Sequence, residues 1–360
     1  MTTTADAPTP LRRADRYASL YTDLSKVIRD QGLLRRRYAY YWTRIAAAVI
    51  AFALVWTVVV LLGNSWFQLI CAGVLGIVIA QFGFLGHDSA HRQIFKSAAW
   101  NDWTARIFAG VFAGLSYGWW KTKHNRHHAA PNQVDKDPDI ESGVLAFTPE
   151  IARSRRSSAV SGWFVRRQGW LFFPLLTLEG VNLHLSSVRA LLRRDSMPHQ
   201  RVEALLVIGR LVGYVVVLFL LLPAGKASAF FGVQMAIFGV FLGGAFAPNH
   251  KGMPIVPADM KVDFLRRQVM MSRNVRGGIV TDFAMGGLNY QVEHHLFPSM
   301  PRPNLHAAQP IVREYCRKHG VPYTETGLFE SYGIVVRYLN RVGLRGQDTF
   351  ACPLAALYRD

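Results

Sequence analysis

Residues 45–86 read IAAAVIAFALVWTVVVLLGNSWFQLICAGVLGIVIAQFGFLG, and no Asp, Glu, Lys or Arg interrupts them. A membrane-spanning helix needs about 20 apolar residues, so this block divides into two spans around a tight turn at Gly63-Asn64-Ser65. It starts too far from residue 1, and runs too long, for a cleavable signal peptide. A second apolar block, from about Glu203 to Pro248, breaks at Pro223-Ala-Gly-Lys-Ala-Ser228 and gives spans near 203–222 and 229–248. Arg210 interrupts the first of these and is read as snorkelling toward headgroups. The fold expected is an all-α integral membrane protein of four transmembrane helices in two hairpins, under a cytosolic helical cap.

Charge supports that topology. The chain has 360 residues, 41 of them Lys or Arg, and a formal net charge of +18. Segment 1–44 carries nine of the basic residues, 87–202 sixteen and 250–360 fourteen, leaving only Arg210 and Lys226. Two hairpins put those three segments on one side of the bilayer, which is the positive-inside pattern. The basic charge therefore reads as topology and attraction to anionic lipid, and no nucleic-acid partner is expected. Cys71, Cys316 and Cys352 show no paired or metal-binding spacing, consistent with a reducing, cytoplasmic face.

Three organisational units follow. Residues 1–44 form a cytosolic N-terminal segment, with a polar tail to about 25 and an interfacial helix over 26–44. Residues 45–250 form the membrane domain, including a cytosolic loop 87–202. Residues 251–360 form a cap segment, with helices expected between Glu314 and Tyr338. Of two shorter apolar stretches, Ile107–Trp120 reads as lying in the interface or entering it partway, and Trp170–Leu185 as interfacial in preference to spanning. Trp119 and Trp120 read as interface anchors. Asp135-Lys-Asp-Pro-Asp139 reads as a solvated turn. Strand signals are weak throughout.

Seven of the 12 histidines fall in three clusters: His87-Asp-Ser-Ala-His91, His124-Asn-Arg-His127-His128 and Gln291-Val-Glu-His294-His295. Spacings of three and four residues stack side chains on one helix face, so the histidines within a cluster can share a metal. His87 follows span two directly and His250 follows span four, and the other boxes lie in loops on the same side. All can meet at one membrane–cytoplasm boundary. Seven imidazoles exceed what one ordinary zinc site takes and suit two metal ions. Ligand type alone does not choose among Zn, Cu, Fe and Ni. A redox iron facing a lipid-accessible cavity would oxidise an acyl chain with O₂. Asp88 and Glu293, inside the boxes, are read as carboxylates that orient metal-bound imidazoles or else as solvated charges. His184, His199, His306 and His319 read as ordinary interfacial or surface residues.

In order and spacing, the boxes His-Asp-x-x-His, His-x-x-His-His and Gln-x-x-His-His around paired apolar hairpins closely resemble the membrane fatty-acid desaturase family, over roughly residues 40–320. The resemblance implies a non-haem centre of two Fe ions and O₂-dependent removal of two hydrogens from an acyl chain. Carried over by position, the ligands are His87, His91, His124, His127, His128, His294 and His295. The family also places a metal-binding His near the cytosolic end of its last span, which Asn249-His250 matches, making His250 an eighth ligand. Asn249 beside it is read as a residue that orients a ligand or binds the metal weakly. Gln291 opens box three where other branches have His, as in front-end desaturases; it is left open as an iron ligand, a group that orients water, or neither. No His-Pro-Gly-Gly haem motif occurs, so electrons are expected from a separate ferredoxin, cytochrome b5 or reductase. The substrate expected is a fatty acyl-CoA or acyl-lipid, and the location a bacterial plasma membrane in preference to endoplasmic reticulum. A related di-iron lipid hydroxylase or ketolase is the alternative. A histidine-rich metal transporter fits poorly, since the first hairpin lacks the ionisable groups that line ion pathways.

Overall fold

The computed structural model describes residues 13–141, 143–193 and 197–345. In chain order the helices are α1 (Arg13–Asp30), α2 (Tyr38–Leu62), α3 (Gln68–Ala90), α4 (Ala98–Ile107), a π-helical turn (Phe108–Ala113), α5 (Tyr117–Ala129), α6 (Pro149–Arg155), α7 (Ala159–Arg167), α8 (Phe172–Leu192), α9 (Gln200–Leu221), α10 (Ala224–His250), α11 (Phe264–Met270), α12 (Ile279–Ala284), α13 (Gln291–Leu296), α14 (Arg302–Lys318) and α15 (Leu328–Arg345). Strands β1 (Asn274–Arg276) and β2 (Glu325–Gly327) pair in parallel, with Asn274 opposite Glu325.

Among the described residues, four helices are long and apolar enough to cross a membrane: α2, α3, α9 and α10. The first turn closes as its residues predict. Gly63 takes a positive φ of 58°, which favours glycine, and the Gln68 side-chain amide donates to the carbonyls of Val59 and Gly63 at 2.8 and 2.9 Å. The second turn is tighter than the expected six-residue break. Pro223 precedes the first residue of α10, where a fixed φ and a missing N–H cost nothing, so Ala224 already begins the helix. Lys226 then reaches the Asn64 side chain at 2.6 Å, so the two hairpin turns meet at the far end of the bundle from the histidines.

The central members are α3 and α10, whose Leu75, Ile79, Phe82, Phe230 and Phe238 are almost fully buried in one cluster. In contrast α2 leaves Ile50, Leu54, Val58 and Leu61 exposed, as a lipid-facing helix should. The stretch Trp170–Leu185 lies deeper than the interface assigned to it. Most of it forms α8, which crosses the middle of α10 through small residues: a Cβ on Gly180 would meet the Met235 carbonyl at 2.4 Å, and one on Gly239 the Gly180 amide at 2.5 Å. The Ile107–Trp120 stretch enters partway, as one of its two readings has it. Its π-turn ends at Gly114 (φ 72°), and Phe112 stacks on Phe82 with ring centroids 3.9 Å apart.

The N-terminal segment differs from expectation. Instead of a tail to residue 25 and a helix over 26–44, α1 ends at Asp30 and the first span begins at Tyr38. The cause is a stripe at Leu20, Leu24 and Ile28, four residues apart on one face, which packs into the cap beside Leu265, Val269, Leu305 and Val312. Residues 1–12 of the expected tail, and Cys352, lie outside the described residues. Both Cys71 and Cys316 are buried and free.

Candidate metal centre

Four elements deliver the histidines. The last turn of α3 presents His87, and His91 caps that helix one turn on. Helix α5 carries His124, His127 and His128, α10 ends on His250, and α13 carries His294 and His295. The start of α5 is fixed by a buried carboxylate. Glu203 of α9 accepts from the Ser116 hydroxyl at 2.8 Å, the Gly118 amide at 3.0 Å and the Arg106 guanidinium at 3.2 Å. A negative charge at a helix N-terminus with free N–H groups is favourable, and Arg106 offsets its burial.

The imidazoles converge in two groups. His87, His91, His124 and His294 form one, and His127, His250 and His295 the other, with the ligand-type atoms of each group within 4.8 Å of one another. His128 lies between them: its Nε2 is 3.0 Å from that of His124, and its ring stacks on His295 with centroids 4.2 Å apart. His184, His199, His306 and His319 stay outside, as expected; His184 is buried, however, and bridges the Gly180 and Ala113 carbonyls.

Hydrogen bonds fix how the second group presents its nitrogens. The Nδ1–H of His127 donates to the Asp137 carboxylate at 3.0 Å, and that of His250 to the Met271 carbonyl at 2.9 Å. The Nδ1–H of His295 donates to the Gln268 amide oxygen at 2.9 Å, and the amide is oriented because its NH₂ donates to the His128 carbonyl. With Nδ1 protonated in all three, each Nε2 carries a lone pair. The Nε2 atoms of His127 and His250 nevertheless face each other at 3.3 Å. With both rings neutral these are two acceptors, which repel unless a metal cation, or a second proton on the Asp137-paired His127, lies between them. The Nε2 atoms of His87 and His295, and both ring nitrogens of His294, are buried with no hydrogen-bond partner, as ligand atoms would be.

Protonation agrees. Burial, reinforced by the neighbouring imidazoles, holds His91, His124, His128, His294 and His295 well below the ordinary histidine range, so they are neutral at pH 7. Burial alone would depress His127 as well, but the Asp137 carboxylate reverses the shift upward. This donor set suits a divalent transition metal of the iron–zinc series, and its size suits more than one ion.

The residues beside the histidines divide. Asp88 lies 3.5 Å from His87 Nδ1 and is paired with Arg302 of α14 at 2.7 Å, so it is buried rather than solvated. Glu293 touches no imidazole. It accepts from Asn274 at 2.7 Å and Tyr323 at 2.8 Å, and burial raises its carboxyl to about 7. The Asn249 amide donates to Gln291 Oε1 at 3.2 Å, and the Gln291 amide nitrogen lies 2.9 Å from His250 Nε2. Gln291 thus sits on the rim of the second group. Asp137, Gln268 and Arg302 escaped the sequence reading. The supposed solvated turn at 135–139 in fact buries Asp137, which also accepts from the Asn132 and Asp139 amides at 2.7 and 2.9 Å. Trp120, read as an interface anchor in preference to a tunnel wall, stacks on His124 at 4.3 Å.

Trp120 also lines a pocket with Gly83, Phe84, Gly86, His87, Ala109, Ala113, Leu115, Tyr117, Leu242 and Phe246. Its walls are apolar apart from His87 and the Tyr and Trp polar tips, and it lies between α3, the π-turn and α10. A long apolar ligand would therefore meet the first histidine group at His87.

The model of the family described as fatty acid desaturase matches residues 64–327, which contain all eight histidines. The chain belongs to the fatty acid desaturase family. It is 28% identical over 300 residues to a Delta(8)-fatty-acid desaturase of Helianthus annuus, covering 79% of this chain and 65% of that protein. It is 28% identical over 333 residues to a Delta(6)-fatty-acid desaturase of Caenorhabditis elegans, covering 89% and 74%. With an acyl-lipid (9-3)-desaturase of Physcomitrium patens it shares 29% identity over 334 residues, covering 88% and 61%. The chain thus spans about two thirds of the length of these desaturases. Membership places it among oxidoreductases of lipid metabolism, and its four apolar spans make it a membrane desaturase-family protein.

Proposed function

We propose that the chain is an O₂-dependent fatty-acyl desaturase whose eight histidines, His87, His91, His124, His127, His128, His250, His294 and His295, hold two non-haem iron ions. One observation carries the proposal: an apolar pocket opens onto His87 beside two groups of convergent imidazoles. Two redox-active irons with O₂ would supply the oxidising power to remove two hydrogens from adjacent methylenes, with two external electrons completing the reduction of O₂ to water.

The chain's own residues do the rest. Asp137, the Met271 carbonyl and Gln268 hold His127, His250 and His295 in the tautomer that points Nε2 inward. Asp88, held by Arg302, does the same for His87 at longer range. The Gly83, Gly86, Ala109 and Ala113 walls leave width for a methylene chain, and Phe84, Leu242 and Phe246 exclude water from it. Gln291, tied to Asn249, is positioned to orient a group bound beside His250.

The acyl group arrives as acyl-CoA or acyl-lipid, and the electrons from a separate ferredoxin, cytochrome b5 or reductase. The side of the membrane bearing the metal centre is taken as cytoplasmic because 39 of the 41 Lys and Arg residues lie outside the two apolar blocks on that side. Gas chromatography–mass spectrometry of lipids from cells expressing the chain tests the reaction. New double bonds are expected; a hydroxylated or keto product without them would overturn the desaturase assignment in favour of the related oxygenases.

A further inference from the structure

The cap carries an apolar surface that the proposed reaction does not use. Helix α12 has no buried residue, and its Ile279 and Val280 are 88% and 80% exposed. Phe329, at the start of α15, is 88% exposed. The parallel pairing of Arg276 with Gly327 carries both segments off the same end of the small sheet, α12 three residues beyond one strand and Phe329 two beyond the other. Three large apolar side chains, nearly bare, would be costly to leave in water.

Their position along the spans shows what covers them. The Phe283 carbonyl of α12 accepts from Gln81 of α3 at 3.3 Å, and Arg44 of α2 lies over the Phe283 ring. On the other side, Tyr332 of α15 donates to the Gly244 carbonyl of α10. Gln81 and Gly244 each lie six residues before a histidine, His87 and His250, at the end of its span. At 1.5 Å per residue both contacts fall about 9 Å below the metal centre, alongside the membrane helices. Arg44 of α2, which donates to the Gln81 side chain at 3.0 Å, marks the same level, and Trp42 beside Phe95 lies nearer the metal side, as cations and Trp do around a headgroup boundary. The patch is therefore continuous with the lipid-facing surface of the spans.

We propose that α12 and the start of α15 form an interfacial anchor, with Ile279, Val280, Phe283 and Phe329 inserted among bilayer lipids. The cap then rests in the membrane surface rather than above it. This bears on box three, because Gly286 and Gly287, both in the left-handed conformation, join α12 to the segment that leads into Gln291. Phe84 packs against Gly286 from one side and lines the acyl pocket from the other. The anchor thus lies where a chain leaving the bilayer would approach His87. The inference rests on α2 and α3 spanning the membrane.

Spin labels on single cysteines at Ile279, Val280 and Phe329, in the full chain reconstituted in phosphatidylcholine–phosphatidylglycerol vesicles, test it. Oxygen, which concentrates in lipid, should broaden all three signals more than a water-soluble nickel chelate does. Lys318→Cys is the aqueous control, and Val58→Cys on α2 the lipid control. If Val58 fails to read as lipid, the span assignment fails rather than the anchor alone. Greater broadening by the chelate at the three positions overturns the anchor, and protection from both agents does so too, since it would mean that protein covers the patch. A photoreactive benzoylphenylalanine at 279 or 329 in the native-cysteine chain gives an independent reading. Cross-linking to phospholipid supports the anchor, and cross-linking only to a second polypeptide contradicts it.

Discussion

Among the residues around the centre, Asp137 bears the most on the account that the histidine boxes do not themselves contain. Its carboxylate accepts from His127 and from two backbone amides, so it shapes the loop after α5 and fixes one tautomer at once. Asp137→Ala should lower iron affinity about 10–100-fold, the usual cost of removing a partner of a ligating histidine. Iron content after graded chelator treatment checks this, and an unchanged affinity would mean that His127 needs no carboxylate. His128→Ala or His294→Ala should abolish turnover and lower iron content while leaving membrane insertion intact; normal activity in either variant removes that residue from the site. The box histidines were legible because their spacing is local, three or four residues on one helix. Asp137 was not. It lies ten residues from His127 on a loop whose composition reads as solvated, and only tertiary approach brings it under α5. Arg302 and Gln268 were hidden for the same reason, being 214 positions from Asp88 and 27 from His295.

At the scale of elements, the four spans could be read because apolar length is a one-dimensional property. Helix α8 could not be read so surely. It carries Glu179, Asn182 and His184, which lower its apparent affinity for lipid, yet Gly180 meets α10 backbone to backbone and the His184 ring sits between two carbonyls, to one of which its N–H donates. Close approach through small residues is how helices pack in lipid, and the sequence shows it only as scattered glycines. Gly180→Val should therefore force the two helices apart and destabilise the protein by about 1–3 kcal/mol, the usual cost of overpacking. Thermal unfolding in detergent measures it, and an unchanged melting temperature would contradict the tight crossing. Helix α1 was missed for a different reason. Polar residues surround its Leu20–Leu24–Ile28 stripe, and the partner surface on α11 and α14 is remote in sequence.

For the whole molecule, the burial of so many imidazoles has a consequence for pH. His91, His124, His128, His294 and His295 titrate in the folded protein well below the unfolded value of about 6.5. The unfolded chain therefore binds more protons once the pH falls below that value, and stability must decline there. His127 and the carboxyl of Glu293, whose shifts are upward, oppose the trend but are outnumbered. Metal-free protein should keep its melting temperature from about pH 8 to 6.5 and lose it progressively below, by fluorescence-detected unfolding. A melting temperature that rises on acidification would show that the imidazoles are not buried neutral. The same convergence makes the centre a property of the assembled chain, since α3, α5, α10 and α13 must all be in place before either group of imidazoles exists. Metal analysis of the purified, iron-loaded protein tests this most directly. The account predicts two irons per chain in the native sequence and a marked loss in both His294→Ala, from the first group, and His295→Ala, from the second; a single iron, or stoichiometric zinc with no iron, would contradict it.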